Sequence, residues 1–488
     1  MPAAPDFRLY HSNSLEVLAG LLAAQVERLP ADGDWLRPDV VLVPQFSMRR
    51  WLQQALAEHS GICANLQFLT PGEFVDRALD ANLGAASPAD RLAPDSLRWR
   101  LLHELQTAPP STLAGFLGDA DPLKRWSLAS ALAQTYEKYQ AWRRDWLLHW
   151  ERGSADADDW QAALWRKVAH GRDHRARRIG QYLQRFGGET TLAPAGLPPR
   201  LFVFACQNVS PDVLQLIASQ ARGGEQHFYL HTPARAFWGD LDRWSGYQPA
   251  DDALFLGAAD VPPNPLLAAW GQAGRDFVAG LVGGETVASA FEAAPHAEPA
   301  RTHLLGRLQA DVLDNRAPLA GNHEPSWPRA AVDRNDPSLQ FHACHTRLRE
   351  VQVLHDQLRA LLEAPAQGDD PPLQPRDIAV LAPDIDAYAP HIEAVFGGAL
   401  GSAREIPYTL ADTSPLATAP VAAAFLRLLE LPLRPLTAGD AVDLLAVPAI
   451  AARFDLGQGE REALQGWLEE AGARWGLDAA DRARHGVR

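Results

Sequence analysis

The chain has 488 residues, of which 47% are hydrophobic and 22% charged, and its net charge is −15. This length predicts two to four domains, and the acidic balance argues against a protein that coats DNA over its whole surface. Long apolar runs and a basic, apolar leader are absent from the sequence, and its three cysteines lie far apart. We therefore expect a cytoplasmic protein without a membrane span, disulfides or a zinc framework.

The first stretch, residues 7–29, has the pattern of a short apolar strand, a polar turn and an amphipathic helix. Apolar side chains recur every three or four residues in the helix, with Asn13 as the expected N-cap and Glu16 as its capping-box partner. In nucleotide-binding α/β proteins such a turn carries glycines and a lysine that hold phosphates. Here the turn, residues 10–13, is Tyr-His-Ser-Asn. We therefore predict the fold of a nucleotide-dependent motor protein in which the nucleotide site lacks the residues that bind phosphate.

Two further strand–helix units follow this stretch. Residues 38–46 predict a buried strand before a helix that ends at Gly61, and residues 65–69 predict a strand before a helix that opens at Thr70 and Pro71. Strands that alternate with helices at this spacing predict a parallel sheet with helical crossovers.

A helical insertion is predicted at residues 85–197, where helical spacing prevails and strand-like alternation does not occur. It divides a first α/β domain into residues 1–84 and 198–335. In the second part we predict strands at 201–206 and 226–233, a helix that opens at Asn264, and proline-rich linkers at 249–263 and 293–337.

A second α/β domain is predicted at residues 336–430, and the start of a helical subdomain at 431–488. The predicted elements are strands at 339–346, 377–384 and 406–410, and a helix at 346–363. The sequence ends in a polar run without a helix cap, from which we expect the subdomain to be cut short.

Catalytic patterns are weak in this sequence. The strand at 201–206 is followed by Gln207, Asn208 and Ser210, where motor ATPases place a pair of carboxylates for magnesium. Asp384 and Asp386 follow another predicted strand, with Asp377 upstream, but a nuclease also needs a nearby lysine and none is present. We interpret these aspartates as helix caps, and His342 and His345 beside Cys344 as structural.

The segment from 122 to 186 is locally basic, with 13 Lys and Arg against 7 Asp and Glu, and it holds six of the fifteen tryptophans. Cationic side chains bind phosphates, and aromatic faces stack on unpaired bases. Residues 135–146 present Lys138, Arg143 and Arg144 among aromatic side chains, and residues 166–178 add a second basic cluster. This pattern predicts single-stranded DNA binding. The alternative is that the tryptophans are core residues and the arginines a solvated helix face.

Several blocks of the sequence together resemble one family. They are LYHSNSLEVL, HSGICANLQF, NPLLAAWGQAGRDF, FHACHTRLREVQVLHDQL, RDIAVLAPDIDAYAPHIEAVFG, ARFDLGQGE and GARWG. In this order they are similar to the RecC family, the gamma subunits of exodeoxyribonuclease V, which is the RecBCD helicase-nuclease. The resemblance spans nearly the whole chain and corresponds to roughly the N-terminal half of RecC.

The resemblance implies an α/β fold of tandem superfamily-1-helicase-like domains, degenerate relatives of P-loop NTPases, with large helical insertions. It implies a non-catalytic subunit that guides separated DNA strands and scans the 3′ single strand for a Chi-like sequence during double-strand-break repair by homologous recombination. ATP and magnesium would belong to RecB-like and RecD-like partner subunits. The DNA partners would be a duplex end and its single-stranded 3′ tail.

The resemblance also implies a set of DNA-binding residues. Arg143 and Arg175 match arginines of the tunnel through which RecC passes the 3′-ended strand. The neighbouring tunnel positions hold Gln134, Thr135, Glu137 and Lys138. Sequence-reading positions fall on Pro44, Phe46, Arg50, Thr70 and Asp76. These depart from the residue types expected there, so the resemblance carries over single-strand binding and not recognition of the enterobacterial Chi octamer.

Two rival interpretations come from other functional classes. One is an active ATP-dependent helicase or nuclease subunit with divergent motifs, which the turn at residues 10–13 disfavours. The other is a protein-interaction scaffold whose basic segment is only surface. Salt-dependent DNA binding separates this scaffold from a strand guide, because phosphate contacts release counterions.

Overall fold

The structure is a computed structural model, in which the chain divides into two compact units, residues 1–339 and 340–488. It describes residues 6–30, 33–34, 36–87, 89–118, 122–153, 159–187, 190, 192–235, 264–283, 291–316, 333–364, 372–413, 419–431 and 435–484. Within these ranges, no helix combines the length and the apolar character that crossing a membrane requires.

A parallel sheet of six strands, counted over the described residues, forms the centre of the first unit. In chain order the strands are β1 (Asp6–Ser12), β2 (Asp39–Leu42), β3 (Leu66–Leu69), β4 (Arg200–Phe204), β5 (Glu225–His231) and β6 (Phe291–Ala293). They lie in the order β3-β2-β4-β5-β1-β6, and all neighbours are parallel. The predicted parallel sheet is confirmed. β4 and β5 insert between β1 and β2, which are consecutive in the chain.

Both faces of this sheet are covered by helices. Alternate residues of a strand point to opposite faces, so Leu42 and Val203 join one hydrophobic core while Val41 and Phe202 join another. Every residue of β2 and β4 is buried. The continuous apolar runs in the sequence predict such strands, since a strand covered on both faces has no exposed side.

The helices of the first unit lie partly against the sheet and partly in the helical segment between β3 and β4. They are α1 (Leu15–Val26), α2 (Phe46–Ser60), α3 (Pro71–Leu83), α4 (Pro94–Thr107), α5 (Ala114–Leu117), α6 (Pro122–Trp142), α7 (Arg144–Glu151), α8 (Trp160–Ala169), α9 (Arg175–Phe186), α10 (Pro211–Ala218), α11 (Pro265–Trp270), α12 (Gln272–Gly283) and α13 (Leu304–Leu313).

The helical segment has a hydrophobic core of its own, built from α4 to α8 around Tyr136 and Trp165. Its last helix, α9, belongs to the sheet core through Ile179 and Phe186. The segment is also tied to the sheet unit by an ion pair, in which Arg144 Nη1 of α7 lies 2.9 Å from Asp212 Oδ1 of α10. Contacts with the elements around the sheet therefore fix the position of α6 and α7.

The start of α1 differs from the sequence prediction by one residue. The N-cap is Ser14, whose hydroxyl accepts a hydrogen bond from Val17 N at 3.2 Å. Asn13 is instead hydrogen-bonded to the backbone of Ala297. A partner 284 residues away leaves no trace in local spacing, and Asn and Ser are equally good caps.

The linkers predicted in the first unit have different outcomes. The one at 249–263 lies outside the described residues. The one at 293–337 is wrong in part, because it contains the ten residues of α13, capped by His303. Prolines and acidic residues on both sides of α13 obscured its short apolar pattern.

The described elements of the second unit are helical. The helices are α14 (Arg347–Glu363), α15 (Ile385–Val395), α16 (Pro420–Glu430), α17 (Ala438–Ala446), α18 (Pro448–Arg453), α19 (Gln458–Glu470) and α20 (Ala479–Arg484). The helix predicted at 346–363 is confirmed as α14, with Thr346 as its N-cap. A small core around Val351, Leu358 and Phe396 joins α14 to α15.

The strands predicted for the second unit are not formed in the described residues. Residues 340–344, 378–382 and 405–411 are neither helical nor paired in a ladder. Their apolar, β-branched character matches that of a strand, but a strand exists only when a neighbour accepts its hydrogen bonds. The prediction of a second parallel sheet is therefore wrong for these residues.

Candidate nucleic-acid interface

The carboxyl edge of the sheet is where open α/β sheets bind ligands, and here it is closed at β1. The Asn13 side chain donates to Ala297 O at 2.9 Å and accepts from Ala297 N at 2.8 Å. His231 Nε2 lies 3.1 Å from Asn13 O, and His11 Nε2 lies 3.2 Å from Glu292 Oε1. Burial lowers the pKa of His11, while Glu292 opposes that shift. Residues 292–297 thus lie over the turn where a phosphate loop would hold its ligand.

The exit of β4 carries amides in place of carboxylates. Ala205 adopts a left-handed backbone, with φ of 53°. Gln207 then donates its side-chain amide to the backbone oxygen of His231, at the end of β5. Its amide is therefore used to join two strand ends.

The exposed face of α6 brings together three of the predicted tunnel residues. Gln134, Glu137 and Lys138 are all exposed, and Lys138 makes no ion pair within the described part of the chain. Gln134 and Lys138 are four residues apart, which places them on one side of the helix, one turn before Trp142. Thr135 is half-buried, and its hydroxyl donates to Ala131 O at 2.9 Å. Thr135 therefore has a partner within its own helix.

Arg143 stands at the break between α6 and α7. Its backbone leaves the helical region, with φ of −137°, and its guanidinium lies over the Trp146 ring at 5.3 Å from the centroid. Tyr139 meets the same ring edge-on, 5.9 Å between centroids. Trp146 is 51% exposed, and Trp142 is also exposed. The Arg143 guanidinium and the aromatic rings of Trp142 and Trp146 are therefore accessible to solvent at one place. Binding of an unpaired base by stacking requires such an arrangement.

This exposed cluster was only partly predicted from the sequence. Lys138 and Arg143 were predicted to bind, whereas the tryptophans of this segment, among them Trp146, Trp150, Trp160 and Trp165, had a core position as their alternative. Trp165 is fully buried, and Trp150 and Trp160 pack against the helical core. Helical spacing fails to separate Trp146 from the others, because the chain breaks its helix at Arg143.

The second basic cluster, residues 166–178, is mostly engaged within the protein. Arg172 lies 2.9 Å from Asp90, Arg177 lies 2.7 Å from Glu151, and Arg178 lies 3.1 Å from Asp80. Arg177 and Arg178 join α9 to α7 and α3, and Arg172 joins the loop before α9 to the loop before α4. The prediction of a second free basic patch is therefore wrong for these three arginines.

Arg175 is the first residue of α9 and is half-buried. Its Nε is buried and has no hydrogen-bond partner among the described residues. Neighbouring Glu151 and His174 place the start of α9 beside the end of α7, whereas Arg143 stands at the other end of α7. With a rise of 1.5 Å per residue, the eight residues of α7 span about 12 Å. Arg143 and Arg175 therefore stand at opposite ends of α7.

One carboxylate organises the interior next to Arg175. Glu151 lies 2.5 Å from His174 Nε2 and 2.7 Å from Arg177, and it accepts a hydrogen bond from Trp165 Nε1 at 3.1 Å. Burial alone raises the pKa of Glu151, but the hydrogen bonds and charges of His174 and Arg177 lower it to about 2. Glu151 was not singled out in the sequence, where it is one acid in a mixed run.

The positions predicted to read sequence lie at the carboxyl ends of β2 and β3. Phe46, the first residue of α2, and Arg50 are exposed. Thr70 caps α3, since its hydroxyl accepts from Glu73 N at 3.3 Å while Glu73 accepts from Thr70 N at 2.8 Å. Asp76 pairs with Arg91 at 3.1 Å. Phe46 and Arg50 are therefore open to a ligand, and Thr70 and Asp76 already have partners.

Of the predicted aspartate pair in the second unit, Asp384 is a helix cap, whereas Asp386 lies in the first turn of the helix. Asp384 accepts from Ala387 N at 3.3 Å as the N-cap of α15. His342 contacts Gln340, and Cys344 is a free thiol. Over the described ranges, no group of three or more His, Cys, Asp and Glu side chains is arranged to hold a metal ion.

Comparison with known proteins gives one consistent result. The family model described as "RecC, N-terminal domain" matches residues 7–315, and that described as "RecBCD enzyme subunit RecC fourth domain" matches residues 418–488. Among curated proteins, the RecBCD enzyme subunit RecC of Escherichia coli K12 is 34% identical over 96% of this chain and 45% of its own length. The RecC subunits of Haemophilus influenzae and Mycolicibacterium smegmatis are 29% and 30% identical, over 96% and 98% of this chain.

The share of each relative that is matched is also similar. The chain spans 45%, 46% and 44% of the three relatives, so it corresponds to somewhat less than half of a RecC subunit. The first family model alone covers well over half of the chain. The chain therefore belongs to the RecC family.

Proposed function

We propose that this chain is the non-catalytic, DNA-binding part of a RecBCD-type helicase-nuclease. It guides the separated strands and scans the 3′ single strand, with Chi-like recognition, during double-strand-break repair by homologous recombination. The observation that carries the proposal is the exposed cluster of Lys138, Trp142, Arg143 and Trp146 at the α6–α7 break. It offers a phosphate-binding charge beside a stacking face, the combination that unpaired DNA needs.

The proposal includes a helicase-like fold for the two units of the chain. The first unit is a degenerate superfamily-1-helicase-like domain, and the second, whose described residues form no parallel sheet, is its tandem partner domain. A parallel sheet with a strand–turn–helix at β1 supports this assignment. The closure of that turn by Asn13 and Ala297 supports a motor fold that has lost its nucleotide.

The cofactors and partner subunits belong to the same proposed complex. This chain needs no cofactor, and ATP and magnesium are used by the RecB-like and RecD-like subunits of a cytoplasmic exodeoxyribonuclease V. The RecC relatives carry the name of a RecBCD enzyme subunit, which supports such partners. Arg50 and Phe46 line the route of the strand along the carboxyl edge of the sheet, and Arg175 contributes charge at the far end of α7.

The test is binding of a fluorescent thymidine oligomer by the 488-residue chain across a salt series from about 50 to 200 mM. We compare wild type, Lys138→Ala/Arg143→Ala and Arg175→Ala, each with and without magnesium and ATP. Loss of two phosphate contacts makes the slope of log affinity against log salt less steep by about 1.4 for the double variant. ATP leaves every curve unchanged.

The control variant is Arg359→Ala, which removes a half-buried arginine that pairs with Glu363 in the second unit. It lowers the positive charge without touching the cluster, and its binding matches wild type. Salt-insensitive binding, or equal weakening by the control, would leave the scaffold as the better function. A change caused by ATP would point to the active motor.

A further inference from the structure

The outer edge of β3 forms one side of the sheet in the first unit. β3 is the terminal strand in the order β3-β2-β4-β5-β1-β6, so among the described strands it pairs with β2 alone. A groove of about 490 Å³ lies against this strand. It is lined by residues 65–68 together with Pro38 and Arg49.

The backbone groups of Leu66 and Phe68 point away from the sheet. Leu69 O accepts a hydrogen bond from Val43 N at 2.9 Å, so Leu69 and, two residues before it, Gln67 face β2. Successive residues of a strand direct their N–H and C=O groups to alternate sides. The outward groups of Leu66 and Phe68 make no hydrogen bond outside the sheet within the described residues. Such an edge is a template for another strand.

An arginine stands beside this edge on each face of the sheet. The Arg49 guanidinium of α2 lies 5.6 Å from the centroid of the Phe68 ring, and Arg77 Nη1 of α3 donates to Gln67 Oε1 at 3.0 Å. Gln67 and Phe68 are consecutive, so their side chains lie on opposite faces of the sheet. Arg49 and Arg77 are both exposed, and neither makes an ion pair with a described residue.

The acidic side chains of α3 near Arg77 are used elsewhere. Glu73 accepts a hydrogen bond from Thr70 N at 2.8 Å, and Asp76 pairs with Arg91 at 3.1 Å. The edge is therefore basic in a chain whose net charge is −15. Like charges that meet across two paired strands are destabilising, so these arginines oppose pairing of the edge with a second copy.

A peptide matches both kinds of backbone group at this edge. Leu66 and Phe68 present N–H donors and C=O acceptors, whereas the sugar–phosphate backbone of DNA offers acceptors alone. An added strand pairs with both, and its consecutive side chains point to opposite faces of the sheet. Two consecutive carboxylates on that strand can therefore reach Arg49 and Arg77, one on each face.

We infer that the outer edge of β3 binds an extended acidic segment of another protein, which adds to the described sheet as a seventh strand. The segment carries two consecutive acidic residues, one for Arg49 and one for Arg77. Main-chain hydrogen bonds supply affinity, and the carboxylates select the segment against neutral or basic ones. Neither arginine belongs to the α6–α7 cluster, so this partner and single-stranded DNA bind at different places.

The first measurement is residue-by-residue amide hydrogen exchange of the 488-residue chain with a six-residue probe peptide. The probe has blocked ends and two consecutive glutamates between valines and threonines (TVEEVT), and a matched probe has lysines in their place (TVKKVT). At about 100 times the Kd of the acidic probe, exchange of the Leu66 and Phe68 amides slows roughly 100-fold. The lysine probe leaves both amides unprotected.

The second measurement reverses the charges. Arg49→Glu/Arg77→Glu weakens binding of the acidic probe about tenfold or more, because two attractive pairs become repulsive, and it binds the lysine probe instead. The control is Arg349→Glu, which replaces an exposed arginine that likewise donates to a glutamine, Gln352. That variant keeps the preference of wild type. Unchanged protection of the β2 and β4 amides shows that the double variant is folded.

Four outcomes overturn the inference. The acidic probe leaves Leu66 and Phe68 unprotected at its highest soluble concentration, or both probes bind wild type equally. A thymidine oligomer protects these two amides, in which case the edge binds DNA. Protection grows with protein concentration in the absence of a probe, in which case the occupant is a second copy. The unmatched half of the Escherichia coli relative, when co-expressed, protects them, in which case the strand comes from the rest of the RecC polypeptide.

Discussion

Two neighbours fix the position of the exposed Trp146 ring. The Arg143 guanidinium lies over the ring, and Tyr139 packs against it edge-on. We expect Trp146→Ala to weaken binding of single-stranded DNA by about 1–3 kcal/mol, the value of one stacked base. Trp146→Phe keeps a flat ring and retains most of the affinity. The salt slope stays the same in both variants because no charge is removed. Fluorescence anisotropy across a salt series measures both quantities.

The matched control for this substitution is Trp99→Ala. Trp99 is 62% exposed and lies against Trp126 in the same helical segment, away from the α6–α7 break. Its removal leaves DNA affinity within experimental scatter of wild type. Equal losses for Trp99 and Trp146 would mean that aromatic surface in general, and not this cluster, binds the strand.

Glu151 ties stability to pH through its three contacts with His174, Arg177 and Trp165. Its pKa falls from 4.5 to about 2 on folding, against the upward effect of burial. The stabilisation is therefore fully present above pH 4.5 and is lost as the pH falls through about 2. We expect Glu151→Gln to lower the free energy of unfolding by about 3 kcal/mol at neutral pH.

Urea denaturation at pH 7 and at successively lower pH measures this effect. The difference between wild type and Glu151→Gln narrows as the carboxylate of the wild type is protonated. Glu363→Gln, which breaks the exposed pair with Arg359, serves as the control and changes stability little. A constant difference at every pH would rule out the carboxylate as its source.

The side-chain amide of Asn13, in the turn between β1 and α1, binds the backbone of Ala297 and keeps that segment over the turn. Asn13→Ala removes both hydrogen bonds to Ala297, so we expect the Ala297 amide to exchange about tenfold faster, as for the loss of roughly 1.4 kcal/mol. Asn82→Ala is a close control, since Asn82 donates to Ala195 O at 3.0 Å and accepts from its N at 2.8 Å. That variant loosens residue 195 and leaves residue 297 unchanged.

Nucleotide binding at the same turn is tested by thermal unfolding. Magnesium and ATP are expected to leave the unfolding midpoint of wild type and of Asn13→Ala unchanged, because the turn supplies neither glycine nor lysine. A rise in the midpoint with ATP in either protein would show that the end of β1 still binds nucleotide.

Elements with a strong local pattern could be predicted from the sequence, and those that depend on distant partners could not. The buried strands β2 and β4 and the opening of α3 at Thr70 were predicted correctly, because apolar runs and capping residues act within a few positions. The strand state of residues 378–382 was predicted wrongly, since it requires a neighbour. The same limit applies to Asn13, whose partner Ala297 is remote in the chain.

The candidate interface follows the same division. Composition and residue pattern predicted the basic, tryptophan-rich region with Lys138 and Arg143, and the resemblance matched Arg143 and Arg175 to tunnel arginines. Arg172, Arg177 and Arg178 pair with acids that come from three separate segments. The sequence therefore did not reveal that these arginines are unavailable to a ligand. Local charge counts overstate a binding surface when the counter-charges arrive through folding.

The molecule divides into two units, and the first carries the sheet, its two cores and the proposed DNA-binding cluster. We expect residues 1–339 expressed alone to fold. Their unfolding midpoint stays within about 3 °C of the corresponding transition in the whole chain, a difference of roughly 2 kcal/mol. Differential scanning calorimetry of both proteins tests this, since separate units unfold in separate transitions. A single shared transition and an unfolded fragment would contradict it.

Net charge and local charge act differently in this chain. At −15 the net charge of the chain disfavours contact with DNA, whereas the cluster around Lys138 and Arg143, on the proposed function, attracts it. Binding confined to one cluster lets a strand slide past without adhering elsewhere, which suits a guide.

The seal at the end of β1 also bears on reversibility in evolution. On the proposed ancestry of the sheet, restoring a phosphate loop requires glycine and lysine in the turn and, in addition, removal of the segment that Ala297 anchors there. Neither change is useful without the other, and the two sites lie 284 residues apart. On that ancestry, no single substitution restores a phosphate loop at the end of β1, because the residues of the turn and the segment held by Ala297 must both change.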